Sequence, residues 1–296
     1  MSEFFNNVGS NVLDCLMTEI AEWMLDAKCE LLTVTKGMRY NNIEFRSIKE
    51  IKKYLYLGED KKVHCVKNTD TRSILKLYIY LNTPSIPDII KFSEDMYIDI
   101  HFYCVTQDQM NEWKDHLDGA HVRELSIFKC TVHDWDWISK ADVIEFIRLM
   151  RVDLPNGFSG FADRGLTSQC IDEIKIIKCN IKNLNNFPRV NSDAVITIDA
   201  CPTLHDISGI AEKNNRFDTL NIIQCNHITH TENLSKLCID TLYAYDDVLD
   251  HMIITGDMIG NINKKISMAI KWYSKSNDLI DKLNKKYPSA DKTILR

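Results

Sequence analysis

Short stretches of alternating apolar and polar residues recur along the chain, each preceded three places earlier by a further apolar residue. Val122–Val132 reads VRELSIFKCTV, and Ile171–Ile181 reads IDEIKIIKCNI. Both carry apolar residues at relative positions 1, 4, 6 and 11 and a cysteine at 9. A fragment such as Ile174-Lys175-Ile176 predicts a short strand with its isoleucines facing inward. The same template fits FDTLNIIQC from 217, and ILKLYIYLN from 74 with Asn in the last place. DAVITIDAC from 193 and IDTLYAYDD from 239 fit with small departures. Weaker copies read CELLTVTKG from 29, IKKYLYLGE from 51, YIDIHFYCV from 97 and IRLMRVDLP from 147.

The starts at 29, 51, 74, 97, 122, 147, 171, 193, 217 and 239 are separated by 22 to 25 residues. A near-constant period of this size predicts stacked coils, each too small to bury its own apolar face and covered by its neighbours. An ordinary α/β domain with several strands is the competing reading.

The unit resembles that of the leucine-rich repeat family, LxxLxLxxN/CxL with a period of 20–29. The resemblance covers roughly Cys29 to Asp250. It implies an α/β solenoid: a curved parallel sheet of about ten repeats, with tight helical returns such as Ile181, Leu184, Phe187 and Val190. The chain departs from the family in using Ile, Val and Tyr as often as Leu. It also lacks the Asn or Cys at Gly37, Glu59, Val105 and Pro155. Cys130, Cys179, Cys201 and Cys225 fall at the turn position and read as structural, because a small thiol tolerates burial.

A solenoid needs capped ends. Val12, Leu13, Leu16, Ile20, Trp23 and Met24 lie at helical spacing, as do Ile262, Ile266, Ala269, Ile270 and Tyr273, followed by Ile280 and Leu283. This predicts a helical N-terminal cap over 1–28, the solenoid over 29–250 and a helical C-terminal cap over 251–296.

The even offsets of the template face outward, on what the resemblance implies is a concave surface. There Tyr78, Tyr80, Tyr103 and Phe128 form one aromatic group, and Tyr243 and Tyr245 a second. Aromatic side chains carry much of the energy of protein interfaces, and an apolar stripe of this size is rarely left bare. These residues are the expected partner-binding positions. Cover by the caps, or a register wrong by one residue, are the alternatives.

Composition narrows the function. The net charge is −6 without a basic block, which argues against nucleic acid. No apolar run approaches the roughly 20 residues that span a bilayer. The ten cysteines contain no CxxC, and MSEFFNNVGS lacks the pattern of a secretory leader, so a cytoplasmic protein with reduced thiols is expected. Abundant Ile, Asn and Lys suit an AT-rich genome, which suggests a viral or phage factor acting in the host cytoplasm.

Candidate chemistry is thin. His133-Asp134-Trp135-Asp136-Trp137 crowds carboxylates and an imidazole, but exposed Asp over packed Trp accounts for it. Cys225, His227, His230 and Cys238 are types that zinc accepts, at a spacing that matches no standard finger. Asn156–Gly165 is Gly-rich but is not a phosphate loop. Cys15, Cys29 and Cys170 have no local His signature of a nucleophile. The expectation is a non-enzymatic protein-interaction module with no cofactor, metal or catalytic residue. The alternative is an enzyme, or the targeting subunit of one, with activity on loops near 133–137 or 156–165.

Overall fold

The computed structural model describes residues 2–35, 39–66, 71–93, 96–141, 143–161, 171–245, 248–249, 252, 258–269 and 276–295. The chain divides into two compact units, Met1–Ile127 with Trp137–Ile144, and Phe128–Asp136 with Glu145–Arg296.

The first unit opens with helix α1 (Ser2–Asp26). It buries Met17, Ile20, Ala21, Trp23 and Met24, while Val12 is exposed. Strand β1 (Glu30–Thr35) runs antiparallel to both β2 (Arg39–Glu44) and β5 (Thr71–Tyr80). The template copy at 29 is therefore a strand but not a parallel one. Too few residues separate β1 from β2 for a crossover, so the pair forms a hairpin.

The copy at 51 is not a strand of this sheet. Ile48–Tyr54 is helix α2, and its N-terminus is fixed by Ser47 and Glu50: the Glu50 N–H donates to Ser47 Oγ, and the Arg46 N–H to Glu50 Oε2. A small antiparallel hairpin follows, β3 (Leu55–Leu57) with β4 (Val63–Cys65). It buries Leu55 and Leu57, the residues the template places outward, and exposes Tyr56.

Strand β5 pairs in parallel with β6 (Tyr97–Tyr103), Leu77 opposite Ile100 and Ile79 opposite Phe102, as copies starting at 74 and 97 require. A short helix α3 (Gln107–Asn111) precedes β7 (His121–Phe128), the neighbour of β6. Phe102 anchors the inner face, edge-on to Trp113 at 5.7 Å and to Trp137 at 5.4 Å.

The second unit is a parallel stack. Strands β8 (Val143–Met150), β10 (Ile171–Ile177), β12 (Val190–Asp199), β13 (Arg216–Ile223), β14 (Cys238–Tyr245), β15 (Asn261–Ala269) and β16 (Asp291–Leu295) lie side by side in that order. Short strands β9 (Asp153–Leu154) and β11 (Asn180–Ile181) pair beyond the turns. The pairs Ile147/Leu149, Ile174/Ile176, Ile196/Ile198, Leu220/Ile222, Leu242/Ala244 and Ile266/Met268 are buried side by side in one register. Full burial of one such aliphatic side chain stabilises by about 1.5–3 kcal/mol. This is a repeat solenoid, in which each coil closes the core of the next.

The pairing of Ile147 with Ile174 corrects the sequence register of one copy. The repeat begins at Ile144, not at 147, and Val152 rather than Pro155 holds the turn position. Ile144-x-x-Ile147-x-Leu149-x-x-Val152 satisfies the template, and all these side chains are buried.

The turns repeat as closely as the strands. Cys104, Lys129, Arg151, Lys178, Ala200 and Gln224, each at the eighth template position, adopt left-handed backbone with φ between 51° and 58°. From Lys129 to Ala200 the amide at this position donates to the last strand carbonyl of the next coil. These bonds are Lys129 to Met150 at 3.1 Å, Arg151 to Ile177 at 2.9 Å, Lys178 to Asp199 at 2.8 Å and Ala200 to Ile223 at 2.8 Å. Cys179, Cys201 and Cys225 then point inward, and each thiol lies within 3.7 Å of a carbonyl of the preceding coil.

Over 262–269 the expected helix is replaced by β15. Ile266 and Met268 pair opposite Leu242 and Ala244, after a bulge that shifts the register between Ile239 and Thr241. The extra residue sets Ile262 and Ile266 four apart, which mimics helical spacing. A helix does form over Ser276–Lys286, burying Leu279 and Leu283, and β16 follows it. Residues 270–275, including Ile270 and Tyr273, lie outside the described residues. The cap boundary expected at 251 likewise falls outside them.

Candidate partner-binding face

Strand alternation puts Lys76, Tyr78 and Tyr80 of β5 on the outward face, beside Asp99, His101 and Tyr103 of β6. Tyr78 stacks on His101 at 4.9 Å with 19° between the planes. Tyr80 stacks on Tyr103 at 5.1 Å and 15°, and Tyr78 reaches Tyr103 at 6.5 Å. Cross-strand partners on neighbouring strands stand at the separation that favours such offset stacking. Each tyrosine is half-buried.

Polar groups frame this aromatic sheet. Lys28 Nζ lies 4.9 Å from the Tyr80 ring centre, and the Tyr78 hydroxyl donates to Glu30 at 3.4 Å. Burial, reinforced by Glu30, raises the Tyr78 hydroxyl pKa well above its ordinary value. Burial and the Tyr80 hydroxyl raise Tyr103 in the same way. Both phenols therefore stay protonated at neutral pH and keep a donor at the surface. Asp99 is fully buried and is gripped by Arg123, whose Nε donates to Oδ1 at 2.8 Å.

In the second unit the outward residues form two rows across the strands. One runs Arg148, Lys175, Thr197, Asn221, Tyr243 and Ser267. The other runs Phe128, Met150, Ile177, Asp199, Ile223 and Tyr245, at the turn end of the strands. The corrected register puts Met150 where the sequence reading placed Asp153. The second row is consequently apolar at every position but Asp199, and Met150 is 40% exposed. Met150 belongs to this surface and was missed; the template match from Ile144 was the signal for it.

The six expected partner-binding residues thus fall in different places. Tyr78, Tyr80 and Tyr103 are brought together in the first unit. Phe128 stands in the second unit at the head of the apolar row, with Lys129 Nζ 5.3 Å from its ring centre. Tyr243 and Tyr245 share strand β14 on the outward side, half-buried, and burial together with Tyr245 raises the Tyr243 pKa.

The candidate chemical loops pack against one another. The Asp134 side chain accepts from the Asp136 N–H at 3.1 Å, tightening its own turn. Trp135 beneath it is buried, donates from Nε1 to the Gly157 carbonyl at 3.1 Å, and stacks on Phe158 at 5.4 Å. The 133–136 and 156–161 segments therefore interlock; residues 162–165 of the second loop lie outside the described residues. Gly160 has φ +82°, and a Cβ there would sit 3.2 Å from the Trp135 amide nitrogen.

Cys225 is committed to the carbonyls of Ile198 and Ile223, and Cys238 contacts Asn263 Nδ2. His230 faces Thr229 Oγ1, and the His227 carbonyl faces His205 Nδ1. Among the described residues no group of three or more His, Cys, Asp or Glu gathers where it could hold a metal ion. No described helix is long and apolar enough to cross a membrane. Cys170 lies outside the described residues.

No family model matches the chain, and no curated protein or solved structure is significantly similar to it.

Proposed function

We propose that this chain is a non-enzymatic, leucine-rich-repeat-like interaction module that binds a partner protein through the aromatic outward face of its sheet. The observation that carries this reading is the pre-stacked set Tyr78, His101, Tyr103 and Tyr80. These rings sit on paired strands and are mutually oriented before any partner arrives, so little rotamer entropy is lost on association. Half-exposed tyrosines offer a large apolar area with a hydroxyl at the rim, the combination enriched at interface hot spots. Tyr243 and Tyr245 supply further anchors in the second unit. The thiol contacts at the turns require reduced cysteines, which fits a reducing cytoplasm, and composition favours a viral or phage origin.

A Tyr80→Ala/Tyr103→Ala variant tests the reading. It should keep its circular dichroism and melting temperature to within a few degrees while losing a partner that the unmodified chain captures and crosslinks. Retention of that partner at unchanged affinity would remove the aromatic face from the interface. The enzymatic alternative predicts instead that Asp134→Ala/Asp136→Ala abolishes a turnover while leaving partner capture intact.

A further inference from the structure

The left-handed turn position makes a second surface. Lys129, Arg151 and Lys178 occupy it in successive coils, and all are exposed. None of them forms an ion pair among the described residues. Immediately before each in sequence stands an apolar member of the outward row: Phe128, Met150 and Ile177. The amide ladder from Lys129 to Met150 and from Arg151 to Ile177 locks these coils in register, so cations and apolar side chains form two parallel lines across three strands. Two residues before Met150 and Ile177, on the same face, lie Arg148 and Lys175, which share the single carboxylate of Glu173 at 3.5 Å and 2.7 Å. These three coils thus carry five cations, two of them paired with Glu173, in a chain whose net charge is −6. Further along the register come Asp153, past the turn, and Asp199, one strand on.

We propose that this strip, Lys129/Arg151/Lys178 beside Phe128/Met150/Ile177, is a docking site for an extended acidic peptide segment with interleaved apolar residues. Adjacent strands lie about 4.8 Å apart, so the strip spans about 10 Å, the length of three to four extended residues. A β-like segment along the seam sends alternate side chains to its two sides. Carboxylates meet the cationic line and apolar side chains meet the other. A nucleic-acid phosphate backbone would use the cations but not the apolar side chains of Met150 and Ile177, and Glu173 would oppose it. The site stands without Tyr78, Tyr80 or Tyr103, so it does not depend on the aromatic face.

The test is fluorescence anisotropy with a labelled peptide of alternating glutamate and phenylalanine. Lys129→Gln/Arg151→Gln/Lys178→Gln should weaken binding roughly tenfold. Gln224 already occupies the same backbone position at φ 51°, so the variant is expected to fold. Met150→Ser/Ile177→Ser should weaken the peptide as well, and Tyr80→Ala/Tyr103→Ala should leave it unchanged. On the unmodified chain, affinity should fall as salt rises from about 0.05 to about 0.5 M, and a glutamine–phenylalanine peptide should bind poorly. Unchanged affinity of the triple variant or insensitivity to salt would overturn the proposal. So would equal binding of an oligothymidylate or an anionic vesicle through the same cations, or loss of the peptide in the tyrosine variant.

Discussion

The two units solve the same problem in different ways. In the second, the strands β8, β10, β12, β13, β14 and β15 repeat one register: two inward apolar residues, and along the described turns a left-handed residue followed by Cys or Val. In the first, the parallel pattern gives way to an antiparallel β1–β2 hairpin and a capped helix α2. Regular coils obtain their stability from neighbours of identical geometry, so the outward positions are free to vary and to carry charge. The irregular unit relies on specific pairs, such as Trp113 against Phe102 and Arg123 on Asp99, and its outward face is committed to stacked rings.

The largest effect that should break this comparison lies in the repeated core. Ile176→Asp places an unpaired carboxylate among fully buried side chains and should cost about 4 kcal/mol in urea denaturation. Its neighbour Lys175, which shares Glu173 at the surface, should tolerate Asp to within about 0.5 kcal/mol. Equal losses would mean that the inward and outward rows are wrongly assigned.

The counterpart in the first unit is a single pair rather than a layer. Asp99→Ala strips a buried carboxylate from Arg123 and should cost about 3 kcal/mol, most of which an added Arg123→Met should recover by the same assay.

The cysteine ladder comes next. Cys201→Ala should cost about 1–2 kcal/mol through lost packing and thiol contacts. It also carries a pH signature. Its contact with the Cys179 sulfur and its burial push the Cys201 thiol up to about 12 from an unfolded value of 9.0. The folded chain then holds a proton that the unfolded chain has released, so stability is full below pH 9 and falls as pH rises from about 9 toward 12. Cys225, raised in the same direction, adds to the fall, whereas Cys179, lowered by Cys201, acts in the opposite sense just below pH 9. Melting curves of Cys201→Ala should show a shallower alkaline decline than those of the unmodified chain.

The smallest effect separates stability from function at one position. A non-glycine residue in left-handed backbone carries a steric penalty that glycine avoids. Lys178→Gly should therefore raise stability by about 0.5 kcal/mol while weakening the acidic peptide. A loss of stability would show that the Lys178 side chain contributes to the fold itself.

Much of the fold was legible because the period was. The copies at 74, 97, 171, 193, 217 and 239 align in the register the strands adopt, since the inward doublet leaves one way to align them and Asn82, Cys179, Cys201 and Cys225 mark the turn in four of the six. The copy at 51 misled because IKKYLYLGE satisfies a loose apolar template, although Ser47 just ahead of it caps a helix N-terminus. The copy at 144 was displaced to 147 because IRLM offers apolar residues on both sides of the true register, and only hydrogen bonding to β10 chose between them. Beyond 250 the bulge opposite Ile239 imitated a helical interval.

In its regular copies the sequence by itself determined the repeating unit: which residues face inward, where the coil turns, and that aromatic side chains crowd the outward side. Those follow from local alternation and from a period long enough to exceed chance. Only the tertiary structure decided which neighbours share a line. That Tyr78 stacks on His101, that Met150 joins Phe128 and Ile177, and that three cations align beside them depend on inter-strand register. Register is set by hydrogen bonds between residues more than twenty positions apart, which no local pattern encodes.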